Sequence, residues 1–232
     1  MRLLICLFLT LSILHAEPQK FRTDADGPVT RNPKEKGDAW YQLVEGEFPP
    51  EGSAHAISGE LMQVHHLERR FQIRVDRNDS QDAGIVDLPL DASMLPYGSI
   101  YYHGAPAALQ DIPLGTHLHG LFYLKDPNEK TPLLAGPHNN RRTPEADFRR
   151  CFRIEDDFTF HARQQQLWKI DFIDLPTKKL TATLHESGKA IGQPKIFDLL
   201  TSSRLMKAEA FANLKALQPG QTVLFNLSWA TR

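Results

Sequence analysis

The chain has 232 residues, with 27 basic and 28 acidic side chains and a formal net charge of −1 with histidine neutral. Its densest basic groups are only Arg141-Arg142 and Arg149-Arg150; a protein that neutralises many phosphates normally shows a basic stripe, so nucleic acid is excluded as the expected partner. Apolar residues make up 41% of the chain and 16 residues are proline, a globular composition at a length that can bury a core without disulfides.

Residues 1–16 read as a signal peptide. Arg2 supplies the positive start, Leu3 to Leu14 the apolar stretch, and Leu14-His15-Ala16 a cleavage site. The stretch is shorter than the ~20 residues a bilayer span needs, and no second apolar run follows. The expectation is a secreted or periplasmic chain with no transmembrane segment after cleavage. Cleavage also leaves Cys151 as the single cysteine, close to Arg149, Arg150 and Arg153. Either the arginines activate the thiol or it is a buried strand residue, and the second reading is favoured.

Residues 17–38 are polar and without periodicity, the pattern of a flexible leader. A first domain is expected over 39–125. Strands are read at Ile57 to Val64, at Phe71, Ile73 and Val75, which alternate with polar residues, at Ile85 to Leu88, and at Ser99 to His103 after a turn at Pro96-Tyr97-Gly98. An apolar turn at Leu109 and Ile112 leads into a last strand, Thr116 to Tyr123. Residues 126–146, with Pro127, Pro132, Pro137 and Pro144, read as a linker. A second domain is expected over 147–232.

The second domain follows the order of the first. Leu109, Ile112, Gly115 and Leu118 recur 105 residues later as Leu214, Leu217, Gly220 and Val223, while Val64 and Phe71 match Ile173 and Leu180 at a separation of 109. A long internal repeat points to two copies of one structural unit. The expected fold is all-β: two tandem small OB-like β-barrels, each with a short helical turn before the last strand, since closure removes exposed sheet edges. Two small β-sandwiches are the alternative.

An opening strand with Gly-x-Leu/Val, then Ala108-Leu-Gln-Asp-Ile-Pro-Leu-Gly-Thr116 leading into a final strand, resembles small OB-like barrel domains of secreted and periplasmic bacterial proteins over residues 55–124 and 166–230. One relative in shape is the periplasmic copper-carrier barrel of copper-efflux systems. That resemblance implies a metal held by histidine, methionine and an aromatic residue. Here Met62 and Met94 lie in the first copy and Trp168 in the second.

Histidines form the leading candidate cluster. His117 and His119 at i, i+2 on one strand leave the same face, and His103 ends the preceding strand; three converging imidazoles suit Zn²⁺ or Cu²⁺. His55, His65 and His66 join only if the barrel brings their turn to the same end. The competing reading sends His117 and His119 outward to solvent or the other domain, with Leu118 and Phe122 facing the core. Tyr101 and Tyr102 are candidate ligand-binding residues, as an aromatic platform for glycans. Glu155-Asp156-Asp157 reads as a solvated turn. No Gly-x-Ser-x-Gly elbow, zinc-hydrolase spacing or glycine-rich nucleotide loop occurs. The sequence therefore predicts an exported non-enzymatic protein that binds a small ligand, a glycan, a metal ion or an envelope partner. A metal-dependent enzyme using His103, His117 and His119 is the alternative.

Overall fold

The computed structural model describes residues 21–23, 27–30, 40–76, 89–129, 149–200, 203–207 and 210–228. The expected signal peptide and most of the proline-rich 126–146 segment lie outside them. Part of the expected leader is strand: β1 (Phe21–Thr23) pairs antiparallel with β2 (Gly27–Thr30), and β2 runs parallel to β3 (Trp40–Tyr41). The chain after β3 is tied to the body of the protein by the Leu43 amide on the Leu124 carbonyl, 2.9 Å.

Five strands close a barrel: β4 (His55–His65), β5 (Arg70–Val75), β6 (Leu90–Tyr102), β8 (His117–Leu124) and β9 (Arg149–Asp156). The ring runs β4-β5-β6-β9-β8 and back to β4; all pairs are antiparallel except β6 with β9. The short β7 (Ala105–Pro106) folds back on the end of β6. The closing strand comes from beyond the proline-rich segment, from residues that the sequence reading put at the start of the second domain. Leu61, Phe71, Ile73, Leu118, Phe122, Cys151 and Ile154 fill the barrel; Phe71 with Ile73 and Leu118 with Phe122 keep the strand period of two, while the β8–β9 register shift spaces Cys151 and Ile154 three apart.

Two local differences from the sequence reading have clear causes. Pro96-Tyr97-Gly98 makes no turn; β6 runs through it. The β6–β9 register breaks between Met94 and Ser99, so a residue without an N–H costs no ladder bond there. The side chain of Arg69 bonds the Pro96 and Gly98 carbonyls, both at 3.0 Å. The acids at 155–157 are not a solvated turn. Asp156 both ends β9 and caps the helix α1 (Asp157–Arg163), and all three acids are buried.

The second half is an open sheet among the described residues. It contains β10 (Gln166–Asp174), β11 (Lys179–Glu186), β12 (Lys189–Ala190), β13 (Lys195–Asp198) and β16 (Thr222–Val223), with a separate hairpin of β14 (Leu205–Lys207) and β15 (Ala210–Ala212). Its pairings follow those of the barrel. Glu60 opposes His117 and Lys169 opposes Thr222; Phe71 opposes Ala92 and Leu180 opposes Phe197; Tyr101 opposes Pro106 and Met206 opposes Phe211. The β4–β5 ladder bulges between Leu61 and Gln63, the β10–β11 ladder between Ile170 and Phe172. Single-turn 3-10 helices occupy Leu109–Asp111 and Leu214–Ala216. Each leads to a glycine in the left-handed region, Gly115 (φ 85°) and Gly220 (φ 87°), where a side chain would be strained. Their amides donate to matching carbonyls, Leu61 at 2.8 Å and Ile170 at 2.7 Å. Among the described residues of this half the buried apolar set is Trp168, Ile170, Leu180 and Ala182, with Phe197 and Phe225 against the indole of Trp168.

Candidate metal centre

The β8 alternation puts Leu118 and Phe122 fully inside the barrel and turns His117 and His119 outward. Outward is not into water. The β9–α1 junction covers this end, and His117 is buried and His119 half-buried. The His119 imidazole stacks on Phe160 of α1, centroids 3.7 Å apart and 12° from parallel. From the second half, Leu227 accepts from the His117 amide at 3.0 Å, while the Asn226 carboxamide donates to Asp156 Oδ2 at 2.8 Å.

Asp157 is the centre of the cluster. Its Oδ1 lies 2.7 Å from His117 Nδ1 and 2.9 Å from His119 Nε2, and its Oδ2 accepts from the Leu227 amide at 2.8 Å. One donor atom from each of His117, His119 and Asp157 falls within 4.8 Å of the others. The far nitrogen of each histidine is also engaged: His117 Nε2 with Asp76 Oδ2 at 2.8 Å, and His119 Nδ1 with Ser58 Oγ at 2.7 Å.

Burial opposes charge on His117, but hydrogen bonds and attraction from Asp157 and Asp76 outweigh it and raise its pKa to about 9. Burial likewise works against an ionised Asp157. The bonds from His117, His119 and the Leu227 amide prevail and lower its pKa to about 2. With no ion bound, the cluster is an imidazolium between two carboxylates. Beside it, His161 is held below its ordinary pKa mainly by burial. Its Nδ1 lies 2.9 Å from Gln166 Oε1, and its ring is 6.3 Å from that of His119.

His103 is not part of this group. It occupies the β6–β7 hairpin turn in a left-handed conformation (φ 52°), followed by Gly104 at φ 78°, as a two-residue hairpin turn demands. Its ring lies against Tyr102 and Phe158, and only its backbone reaches the acidic junction, donating to Asp156 Oδ2 at 2.8 Å. His55 stacks on Trp40, and His65 and His66 lie at the β4–β5 hairpin. Tyr101 lies under the guanidinium of Arg153, 4.6 Å from ring to carbon, and Tyr102 packs on the barrel core. Met94 is in that core and Met62 is the exposed bulge residue of β4. Cys151 is fully buried in the barrel core, its thiol pKa pushed up by burial. Sequence reasoning missed Asp76, Asp157 and Ser58. The traceable signal was Asp156 with Thr159 three residues on, a helix N-cap pattern that places Asp157 on the first turn of α1.

Neither protein-family models, curated proteins nor solved structures contain a match to this chain.

Proposed function

We propose that this chain is an exported metal-binding protein made of two copies of one OB-like unit, holding Zn²⁺ or Cu²⁺ through His117 Nδ1, His119 Nε2 and Asp157 Oδ1. The observation that carries the reading is the outer ring of partners. Metal-bound histidines typically engage their second nitrogen with a carboxylate, carbonyl or other polar group, which fixes tautomer and orientation. Here Asp76 and Ser58 stand at those nitrogens and the Leu227 amide stands at the spare carboxylate oxygen. An ion there would require His117 Nδ1 and His119 Nε2 to be unprotonated, their protons released to solvent, with His117 Nε2–H donating to Asp76 and His119 Nδ1–H donating to Ser58 Oγ.

The present contacts of 2.7 and 2.9 Å are hydrogen-bond lengths. Zn–N and Zn–O bonds of about 2.0–2.2 Å place tetrahedral donors about 3.3 Å apart, so the three groups need to open by roughly half an ångström. His161 is outside this ligand set, its ring 6.3 Å from that of His119 and its Nδ1 on Gln166. The two-nitrogen, one-carboxylate set suits Zn²⁺ or Cu²⁺ rather than a thioether-preferring Cu⁺. Three protein ligands leave the fourth tetrahedral position to water or a further ligand, and the burial of His117 and Asp157 limits access to it.

The tandem reading rests on matched registers, matched bulges and matched glycine turns. The ring order of the first unit and its single parallel pair support the OB-like assignment. Export rests on the composition of residues 1–16. The experiment is titration of dialysed, chelator-treated protein with Zn²⁺ and Cu²⁺, followed by elemental analysis. One equivalent bound by the wild type, and none by Asp157→Ala or His119→Ala variants of unchanged circular dichroism, supports the reading. A wild type that takes up neither ion overturns it.

A further inference from the structure

A second site lies at the other end of β9. Arg150 and Asp157 are seven residues apart, roughly 23 Å along a strand. Around Arg150 the first barrel and the chain after β3 enclose a cavity of about 710 Å³, within the range of small-molecule sites. Its walls are mostly apolar, from Leu43 and Val44 on one side and Met94, Leu95 and Tyr97 on the other. Phe48 and Tyr97 leave large parts of their rings in solvent, 80% and 43% of each residue, and meet edge to face at 5.0 Å.

The charge around this apolar floor is one-sided. Five carboxylates line the cavity against the guanidiniums of Arg70 and Arg150. Two carboxylates are committed to the protein: Asp126 accepts the Glu45 and Asn128 amides, and Glu129 binds Arg150 at 2.8 Å. Glu45, Glu47 and Glu68 remain, and with Arg150 held by Glu129 the other lining residue of opposite sign is Arg70. Carboxylates beside exposed aromatic faces attract a cation twice over, by charge and by the ring quadrupole.

We propose that this cavity binds a cationic amphiphile, with an apolar body on Leu95, Tyr97 and Phe48 and an ammonium head among Glu45, Glu47 and Glu68. The chemistry is that of an alkylammonium: the floor supplies apolar contact and the rim supplies the sign.

The test uses the full chain and three probes of one chain length, decyltrimethylammonium, decyl sulfate and decanol, each below its aggregation concentration, by calorimetry. The ammonium is expected to bind at least about tenfold tighter than the sulfate, a difference of ~1.4 kcal/mol. Glu45→Gln/Glu47→Gln/Glu68→Gln should remove that preference while retaining affinity for decanol. Phe48→Ala/Tyr97→Ala should weaken all three probes by about tenfold or more, with circular dichroism and metal uptake unchanged. Equal or tighter binding of the sulfate overturns the proposal, as does binding that neither variant alters or a wild type that binds none of the probes.

Discussion

Leu227 and Asp157, 70 residues apart, are joined by a hydrogen bond from the Leu227 amide to Asp157 Oδ2 at 2.8 Å. Asp157 turns its other oxygen to His117 and His119. One carboxylate thus faces the candidate ion on one side and fastens the second half of the chain on the other.

Removing that carboxylate should have two effects. Asp157→Ala is expected to abolish metal uptake and to free the 225–228 segment, read as faster amide exchange there. His117 keeps its ion pair with Asp76, so the metal-free protein should be destabilised by less than the roughly 3–5 kcal/mol of a fully broken buried pair. Ser58→Ala keeps all three proposed ligands and should weaken metal binding by about 10- to 100-fold. His103→Ala should leave affinity unchanged.

In chelator-treated protein the His117 ion pair makes stability depend on pH. A pKa raised to about 9 from 6.5 means that the folded state binds the proton more tightly. This contribution is fully present below pH 6.5 and is lost as pH rises through 9. Asp157, lowered to about 2 from 3.8, acts at the acid end, where its share is present above pH 3.8 and lost as pH falls through 2. The two belong to one coupled pair, so their effects do not add. Denaturant midpoints should be level between about pH 4 and 6.5 and fall towards pH 9, by on the order of 2–3 kcal/mol for the His117 share. A His117→Gln variant should lose most of the alkaline slope.

Gly59 tests barrel closure. A Cβ there would collide with the Arg74 carbonyl on the neighbouring strand, whereas one on Gly192 meets nothing within 4 Å. Gly59→Ala should destabilise by about 1–3 kcal/mol through overpacking, and Gly192→Ala should stay within about 0.5 kcal/mol of the parent. Urea midpoints of the two variants supply the measurement.

Cys151 is fully buried in the barrel wall, its Sγ 3.2 Å from the Arg153 carbonyl. The nearby arginines do not activate it, because Arg150 is paired with Glu129 and Arg153 with Glu155. Labelling by a thiol reagent should follow the unfolding equilibrium, with no fast phase in native protein.

The strand of Phe71, Ile73 and Val75 was legible because a half-buried strand imposes a period of two, whereas the strand read at Ile85 to Leu88 lies outside the described residues. The outward direction of His117 and His119, the competing reading, follows from that rule, which leaves open whether solvent or the other half meets their face. Asp157 was not legible, since three successive acids ordinarily mark solvent. Their partners are in part local, Arg153 and Arg163 on Glu155 and the Thr159 amide on Asp156, and in part long-range, the His103 amide on Asp156 and two imidazoles on Asp157. The closing strand was hidden for a similar reason. Proline density marks a connection but does not say whether the next strand returns to the sheet before it.

That return governs how the molecule can be made. The parallel partner of β6 is not present until the chain is complete through Asp156. A nascent polypeptide emerging from its N-terminus therefore carries two unsatisfied edges, β6 and β8, while about thirty further residues are added. Pairing these edges with another chain is the hazard of that interval. A fragment cut within residues 126–146 inherits it permanently and should aggregate, whereas one ending after α1 can seal itself.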